Sequence, residues 1–209
     1  MNICESALSR RAMLRGGGLA LSGLYAGYAF ARPRLAFPGL RPTLLQRALA
    51  ARDRHARRLK VRDTIAIADF DAASNKRRFH IVDVANGRAT SFLVAHGRGS
   101  DPSHTGWLER FSNQEGSLAS SSGAYLAADI YEGKHGRSRR LIGLDPSNSN
   151  ALNRSIVIHA AWYVSPDNIR EHGKLGRSEG CFAVSEDALN QVLARLRSGT
   201  MIYADKLAL

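Results

Sequence analysis

Cysteine is scarce in this chain and occurs only at Cys4 and Cys181. We expect Cys4 to leave with an amino-terminal export signal, so the mature protein keeps one thiol that has no disulfide partner. An unpaired cysteine in an oxidising compartment indicates a reactive thiolate. The alternative is a buried and inert thiol, but the polar residues Arg177, Ser178 and Glu179 just before Cys181 argue against deep burial.

The chain also lacks an apolar run long enough to span a bilayer. Its best candidate, residues 16–30, is uncharged but contains three consecutive glycines and falls short of the ~20 apolar residues that a spanning helix needs. The pair Arg10 and Arg11 precedes it, and a small-x-small cleavage site ends at Ala31. We therefore predict a twin-arginine-type signal peptide over residues 1–31, cleaved after Ala31, and a periplasmic protein. A retained membrane anchor is the alternative.

Several catalytic motifs are missing. No Ser-x-x-Lys is present, which excludes a penicillin-binding serine enzyme. Gly176 to Gly180 matches the G-x-S-x-G elbow of serine hydrolases, but that fold needs a histidine after the serine, and the last histidine is His172. The histidines are scattered without a paired His-x-His or His-x-x-x-His, which argues against zinc: His96, His104, His135, His159 and His172. We expect no metal and no organic cofactor.

Positive charge is concentrated near the amino terminus. Of the net charge of +12, residues 32–62 supply most, with ten Lys and Arg against Asp53 alone. Pro42 is suited to start a helix, and apolar residues follow at helical spacing: Leu44, Leu45, Ala48, Leu49, Ala56 and Leu59. This basic helical arm could bind an anionic envelope surface. Alternatively, it packs on the domain or serves as a linker. It lacks interleaved aromatics, so we expect no nucleic-acid partner.

From residue 63 onward the pattern becomes that of strands. Asn86-Gly87 is a strong hairpin signal. The strands alternate with short turns rather than with helices, which predicts a mainly β fold, an antiparallel sandwich or barrel, in one monomeric domain over residues 63–209. The strands are expected at residues 64–70, 78–85, 88–95, 125–131, 139–144, 155–161 and 200–204.

One clear helix interrupts these strands. It begins after Ser185, a good N-cap, buries a stripe that includes Leu189 and Val192, and ends at Gly199. The long Gly- and Ser-rich connection between Gly97 and Gly123 is typical of a binding loop or lid. Its aromatic residues either cover a cleft or anchor the loop to the core.

The chemistry is predicted for the segment around His159 and Cys181. A cysteine is a useful nucleophile as thiolate, and a histidine within hydrogen-bond reach can hold its proton. His159 ends an apolar strand, and one connection later Cys181 precedes the helix, so the two side chains can meet at one edge of the sheet. The amides of Gly180 and Cys181 could point at a developing oxyanion. Together these residues predict acyl transfer on a cysteine.

Residues 156–165 and 176–184, which hold His159 and the Ser-x-Gly-Cys signature, resemble the L,D-transpeptidase catalytic domain (YkuD-type). They are most similar to its murein L,D-transpeptidase catalytic-domain subgroup. Residues 94–97 and 133–136 are also similar to that subgroup, and the resemblance extends over residues 63–207. One position departs from it, because better-known members usually carry arginine where this chain has Ala183.

The resemblance implies a function in peptidoglycan. Cys181 would attack the carbonyl of the third-position diamino acid of a stem peptide and release the terminal D-alanine. His159 would transfer the proton, and a side-chain amine of a neighbouring stem would resolve the thioester into a 3–3 crosslink. Resolution by water would instead make an L,D-carboxypeptidase or hydrolase. A non-catalytic wall-binding protein is a third alternative.

The resemblance also assigns supporting residues. The backbone carbonyl of Ala160 would orient the imidazole of His159, and Ser178 would brace the cysteine loop. Candidate substrate contacts, further from the reacting atoms, are His96, His135, Arg177 and Tyr163. For the two histidines a structural hydrogen bond is the alternative, and Arg177 is either a carboxylate clamp or a surface charge.

Overall fold

Eight strands form one mixed sheet in the part of the chain that the computed structural model describes, residues 37–207. The expected signal peptide and its cleavage site lie outside these residues. The order across the sheet is β3-β2-β1-β8-β4-β5-β6-β7. The strands are Thr64–Asp69 (β1), Phe79–Asp83 (β2), Arg88–Phe92 (β3), Gly123–Gly133 (β4), Gly136–Gly143 (β5), Val157–Ala160 (β6), Phe182–Val184 (β7) and Met201–Asp205 (β8).

Three α-helices accompany the sheet: Pro42–Arg54 (α1), Pro166–His172 (α2) and Glu186–Arg195 (α3). Short 3₁₀ turns occur at Ala56–Arg58, Arg98–Ser100 and Pro146–Asn148. Among the described residues, no helix is long and apolar enough to cross a membrane.

The predicted hairpin between β2 and β3 is present. Gly87 adopts a φ of +65°, which favours glycine. The Asp83 carboxylate accepts hydrogen bonds from the backbone N–H and the side-chain amide of Asn86, at 2.9 and 2.8 Å. Asn and Asp side chains close turns in this way.

The expectation of an antiparallel sheet is corrected, because two strand pairs are parallel. β1 pairs with β8 and β6 pairs with β7 in parallel, whereas the other five pairings are antiparallel. Parallel neighbours need a crossover connection, and α2 supplies it between β6 and β7. Neither α2 nor β7 was predicted from the sequence.

The two outer edges of the sheet meet and favour a barrel over a sandwich. Ala95, just beyond β3, forms an antiparallel bridge with Ala183 of β7, and the Ala95 N–H donates to the Ala183 carbonyl at 2.9 Å. A second bridge joins Gly97 to Ser178. The sheet is therefore closed next to the cysteine loop.

Alternation along the strands buries both faces of the sheet. Ala66 and Ala68 of β1 point into the main core, which α3 covers with Leu189, Val192 and Leu193. Ile65 and Ile67 point to the opposite face, and α1 covers that face with four buried residues: Leu44, Leu45, Ala48 and Ala51.

Polar contacts also attach α1 and its flanks to the body. Arg41 pairs with the buried Asp69, Arg47 with Asp205 at 2.8 Å, and His55 with Asp145 at 2.7 Å. Of the alternatives for the basic arm, the helix packed on the domain is therefore the one found over residues 42–54. The expected boundary at residue 63 moves accordingly, because α1 shares a core with the sheet.

The long connection before β4 has two kinds of aromatic contact. Phe111 packs against the main core, whereas the side chain of Trp107 is 51% exposed. Arg154 fixes one wall of this connection, donating to Ser112 O and Ser121 Oγ at 2.7 Å each and to Ser117 Oγ at 3.2 Å. It also donates to the Ala119 carbonyl.

Candidate active site

His159 and Cys181 lie on the same face of the parallel pair β6–β7. The register aligns Ile158 with Phe182, and both of these side chains are buried in the core. Because strand side chains alternate, the flanking His159 and Cys181 point to the opposite face.

Both residues line a cavity of about 540 Å³. Its walls come from the long connection, the β4–β5 hairpin, the start of β6 and the cysteine loop. The lining residues are Glu115, Gly116, Leu118, Tyr131, Lys134, His135, Asn153, Arg154, Ser155, Val157, His159, Tyr163, Arg177, Ser178, Glu179 and Cys181.

The imidazole of His159 is oriented by the carbonyl of Ala160, the group expected from the sequence. Nδ1 lies 2.7 Å from this oxygen. A carbonyl only accepts, so Nδ1 carries the hydrogen and Nε2 is left to take up a proton. Burial lowers the pKa of His159, and the Ala160 carbonyl opposes this in part. The ring is therefore neutral at pH 7 and suited to act as a base.

The Cys181 thiol is not directed at His159. Its Sγ donates to the carbonyl of Ser155 at 3.5 Å, and no hydrogen bond joins Sγ to the imidazole within residues 37–207. Cys181 is buried, contrary to the expectation from its polar flank. This burial raises the pKa of Cys181, with the Val157 amide and the charge of Lys134 acting in the opposite direction. The expected direct thiol–imidazole contact is thus corrected to a neutral thiol and a neutral imidazole sharing one cavity.

The cysteine loop is braced by Ser178. Its hydroxyl donates to the Cys181 carbonyl at 2.7 Å and accepts the Gly180 N–H at 3.2 Å. The Gly180 amide is therefore engaged within the loop, and its expected role as an oxyanion donor is corrected. The Cys181 N–H has no acceptor among the described residues and remains available as a hydrogen-bond donor beside the Cys181 sulfur.

His96 lies outside the cavity, and the expectation that it contacts substrate is corrected. It is buried with Arg78, which donates from Nη2 to His96 Nδ1 at 2.7 Å, and with Asp101, 3.4 Å from Nε2. Burial and the charge of Arg78 lower the pKa of His96 to about 3. The residue is a neutral structural histidine.

The other three candidate contacts, His135, Tyr163 and Arg177, do line the cavity. The guanidinium of Arg177 is partly engaged, because Nη1 donates to the carbonyls of Asp101 and Pro102, the latter at 3.1 Å. It therefore fixes a neighbouring loop while facing the cavity.

Four charged residues that complete the cavity were not predicted from the sequence. Lys134 lies on the β4–β5 turn, Glu179 on the cysteine loop and Arg154 before β6, with Glu115 on the long connection. For Arg154 one signal was available, since it is a charge placed immediately before the apolar histidine strand. Within residues 37–207, no group of three or more His, Cys, Asp and Glu could hold a metal ion.

A cysteine and an oriented histidine in one cavity of a closed β fold form an arrangement suited to thiol-dependent acyl transfer. Residues 37–204 match the family described as L,D-transpeptidase catalytic domain. The chain belongs to this family, and the resemblance drawn from its residues is confirmed. The match includes α1, in agreement with its packing.

Solved structures of L,D-transpeptidases are similar at low identity. The protein from Mycobacterium smegmatis is 12% identical with a TM-score of 0.41, over 68% of this chain and 58% of that one. The protein from Xylanimonas cellulosilytica is 16% identical with a TM-score of 0.41, over 68% and 60%. L,D-transpeptidase 3 from Mycobacterium tuberculosis, solved with a faropenem-derived adduct, is 11% identical with a TM-score of 0.43, over 68% and 60%.

This chain thus spans about 60% of the length of these structures. A search of curated protein sequences gave no match.

Proposed function

We propose that this protein is a peptidoglycan L,D-transpeptidase that forms a thioester on Cys181. The observation that carries the proposal is the placement of Cys181 and His159 on one face of β6–β7, in one cavity. Membership of the family supports peptidoglycan stem peptides as the substrate class.

The reaction starts when the thiol leaves the Ser155 carbonyl and gives its proton to Nε2 of His159. The sulfur attacks the carbonyl carbon of the third-position diamino acid, and the resulting oxyanion accepts a hydrogen bond from the Cys181 N–H. The oxyanion collapses, the amide C–N bond breaks, and Nε2 returns the proton to the departing D-alanine amine. An amine of a second stem then attacks the thioester and gives a proton to His159. The C–S bond breaks, and His159 returns this proton to the leaving sulfur.

The charges around the cavity suit such a substrate. Lys134, Arg154 and Arg177 provide positive charge, whereas Glu115 and Glu179 provide negative charge. A stem peptide carries both carboxylates and a side-chain amine, so a cavity with both signs can bind it in one orientation.

Mass spectrometry of the protein incubated with tetrapeptide muropeptides tests the proposal. We expect a tripeptide acyl adduct on Cys181, loss of D-alanine and the appearance of muropeptide dimers. The Cys181→Ala variant is the control and should form no adduct, release no D-alanine and give no dimers. Tripeptides without dimers would instead show a carboxypeptidase, and the absence of any adduct would contradict the proposal.

We also propose that the protein is exported with residues 1–31 as its signal and that exposed basic residues at the end of α1 and after it contact anionic envelope polymers. These basic residues are Arg54, Arg57, Arg58, Lys60 and Arg62. Amino-terminal sequencing of protein recovered from the periplasm tests the export. Sedimentation with purified sacculi, with and without 1 M salt, tests the contact, because screening weakens it.

A further inference from the structure

Ser120 connects the long Gly- and Ser-rich connection to the cysteine loop. Its side chain is fully buried, and its hydroxyl donates to the carbonyl of Gly180 at 3.2 Å. The same oxygen accepts the N–H of Gly97 at 3.0 Å. The Ser120 backbone N–H donates to Ser100 Oγ at 3.0 Å. The hydroxyl is thus fixed from several sides and has one remaining direction for its hydrogen, towards Gly180.

The Gly180 peptide is also held by close packing. Gly180 has a φ of +114°, a backbone conformation that residues with a side chain rarely adopt. An added Cβ would lie 2.8 Å from the Ala119 carbonyl oxygen. A Cβ added to Gly97 would lie 2.7 Å from the Gly180 nitrogen. Two backbone segments therefore meet at this point without room for side chains, and the Ser120 hydroxyl lies between them.

The direction of the Cys181 N–H follows from the geometry of the Gly180–Cys181 peptide. In a trans peptide the carbonyl and the N–H point to opposite sides of the chain. Because the Gly180 carbonyl points at the buried Ser120 hydroxyl, the Cys181 N–H points away from it. This N–H is the donor that has no acceptor among the described residues, and it belongs to Cys181, which lines the cavity.

We propose that Ser120 is a positioning residue that orients the Gly180–Cys181 peptide so that the Cys181 N–H stabilises the acyl-transfer oxyanion. The role depends on Cys181 as nucleophile, as in the proposed function, but not on peptidoglycan as substrate. Ser120 does not touch the reacting atoms and acts through a single peptide plane.

Two reagents separate this role from general support of the loop. When p-nitrophenyl acetate reacts, the sulfur bonds to the carbonyl carbon, the electron pair moves to oxygen, and collapse of the oxyanion expels p-nitrophenolate. The thiol proton goes to His159. Alkylation by iodoacetamide displaces iodide at a saturated carbon and forms no oxyanion. Only the first reaction needs the amide that Ser120 orients.

The experiment measures both rates on the purified full-length protein and on Ser120→Ala, with thermal melting of each. We expect the p-nitrophenolate burst of Ser120→Ala to slow by roughly 10- to 100-fold, less than or near the loss of a whole oxyanion donor. The iodoacetamide rate should change by less than about threefold. Ser121→Ala is the matched control, since it removes an equally buried hydroxyl that bonds to the Ser112 carbonyl and to Arg154 and makes no hydrogen bond to Gly180.

Equal losses in both reactions, an unchanged burst in Ser120→Ala, or an equal loss in Ser121→Ala would overturn the proposal. So would the absence of a Cys181-dependent burst in the native protein. Failure with muropeptides alone, with the ester results as expected, would refute the substrate and leave the role of Ser120 intact.

Discussion

The imidazole of His135 lies flat against the imidazole of His159, with ring centroids 4.2 Å apart and planes 18° apart. His135 belongs to the turn between β4 and β5, so the tip of this hairpin covers the imidazole of His159. Positive charge on His135 and Lys134 disfavours a second charge on His159 and lowers its pKa, in addition to burial.

Replacing His135 should move the acid limb of the pH–rate profile to higher pH. His159 accepts the thiol proton only when neutral, and a higher pKa keeps it protonated to a higher pH. In His135→Ala the lost charge and the lost burial both raise this pKa. His135→Phe keeps a covering ring and removes only the charge, so it should move the limb less. The pH dependence of the p-nitrophenolate burst measures both, and a limb that moves to lower pH would refute the assignment.

Opposite charges on the cavity rim should shift the pKa of the Cys181 thiol in opposite directions. Glu179 raises the pKa of Cys181 and Lys134 lowers it, although burial has the largest effect. At pH 7 the thiolate is the minor form, so Glu179→Gln should increase the iodoacetamide rate and Lys134→Gln should decrease it, each by roughly two- to fivefold. Repeating the measurement in 1 M salt should shrink both differences, since these side chains are more than half exposed. Changes of the same sign would contradict this account.

Arginine should not be tolerated where better-known family members carry it. Ala183 is fully buried and faces Ala95, also fully buried, in the bridge that closes the sheet. Ala183→Arg buries an unpaired charge and should cost on the order of 4 kcal/mol of unfolding free energy. Ala194→Arg, on the exposed side of α3, should change it by less than about 0.5 kcal/mol. Urea unfolding compares the two variants, and equal stabilities would show that the β7 site can open.

The protein should lose stability below pH 6.5 because buried histidines stay neutral in the folded state. Burial, together with the charge of Arg41, lowers the pKa of His80 to about 4. The unfolded chain binds this proton near pH 6.5 and the folded chain only near pH 4, so stability falls as pH falls between these values. His80 contributes about 2 kcal/mol to the loss between pH 7 and 5, and His96 acts in the same direction.

Urea unfolding at pH 7 and at pH 5 measures this dependence. His80→Gln should lessen the difference between the two pH values, whereas His172→Gln should leave it unchanged, because His172 is exposed. A native-like dependence in His80→Gln would show that other groups carry it.

Local hydrogen bonding was predictable from the sequence, and long-range packing was not. The positions of His159, Ala160, Ser178 and Cys181 along the chain were enough to predict how these residues contact one another locally. Backbone carbonyls and loop hydroxyls form hydrogen bonds with groups only a few residues away. The Asn86-Gly87 hairpin was predictable for the same reason.

The missed elements had no such signal. None of the α2 residues is buried, so its sequence lacks an apolar stripe, and β7 is three residues long. The sequences around His96 and His135 do not distinguish the two residues, yet His96 is buried beside Arg78 and His135 covers His159. The periodicity of α1 was visible, but not the sheet face that it covers.

The bridge between Ala95 and Ala183 gives Cys181 a distinct place in the order of assembly. It joins positions 88 residues apart in the chain, and contacts of such high sequence separation bear a large loop-closure cost. Cys181 thus lies at the seam of the barrel, where its surroundings exist only once the two ends of the sheet have come together. In a partly folded chain, Cys181 would be present but the pocket around its sulfur would not yet have formed.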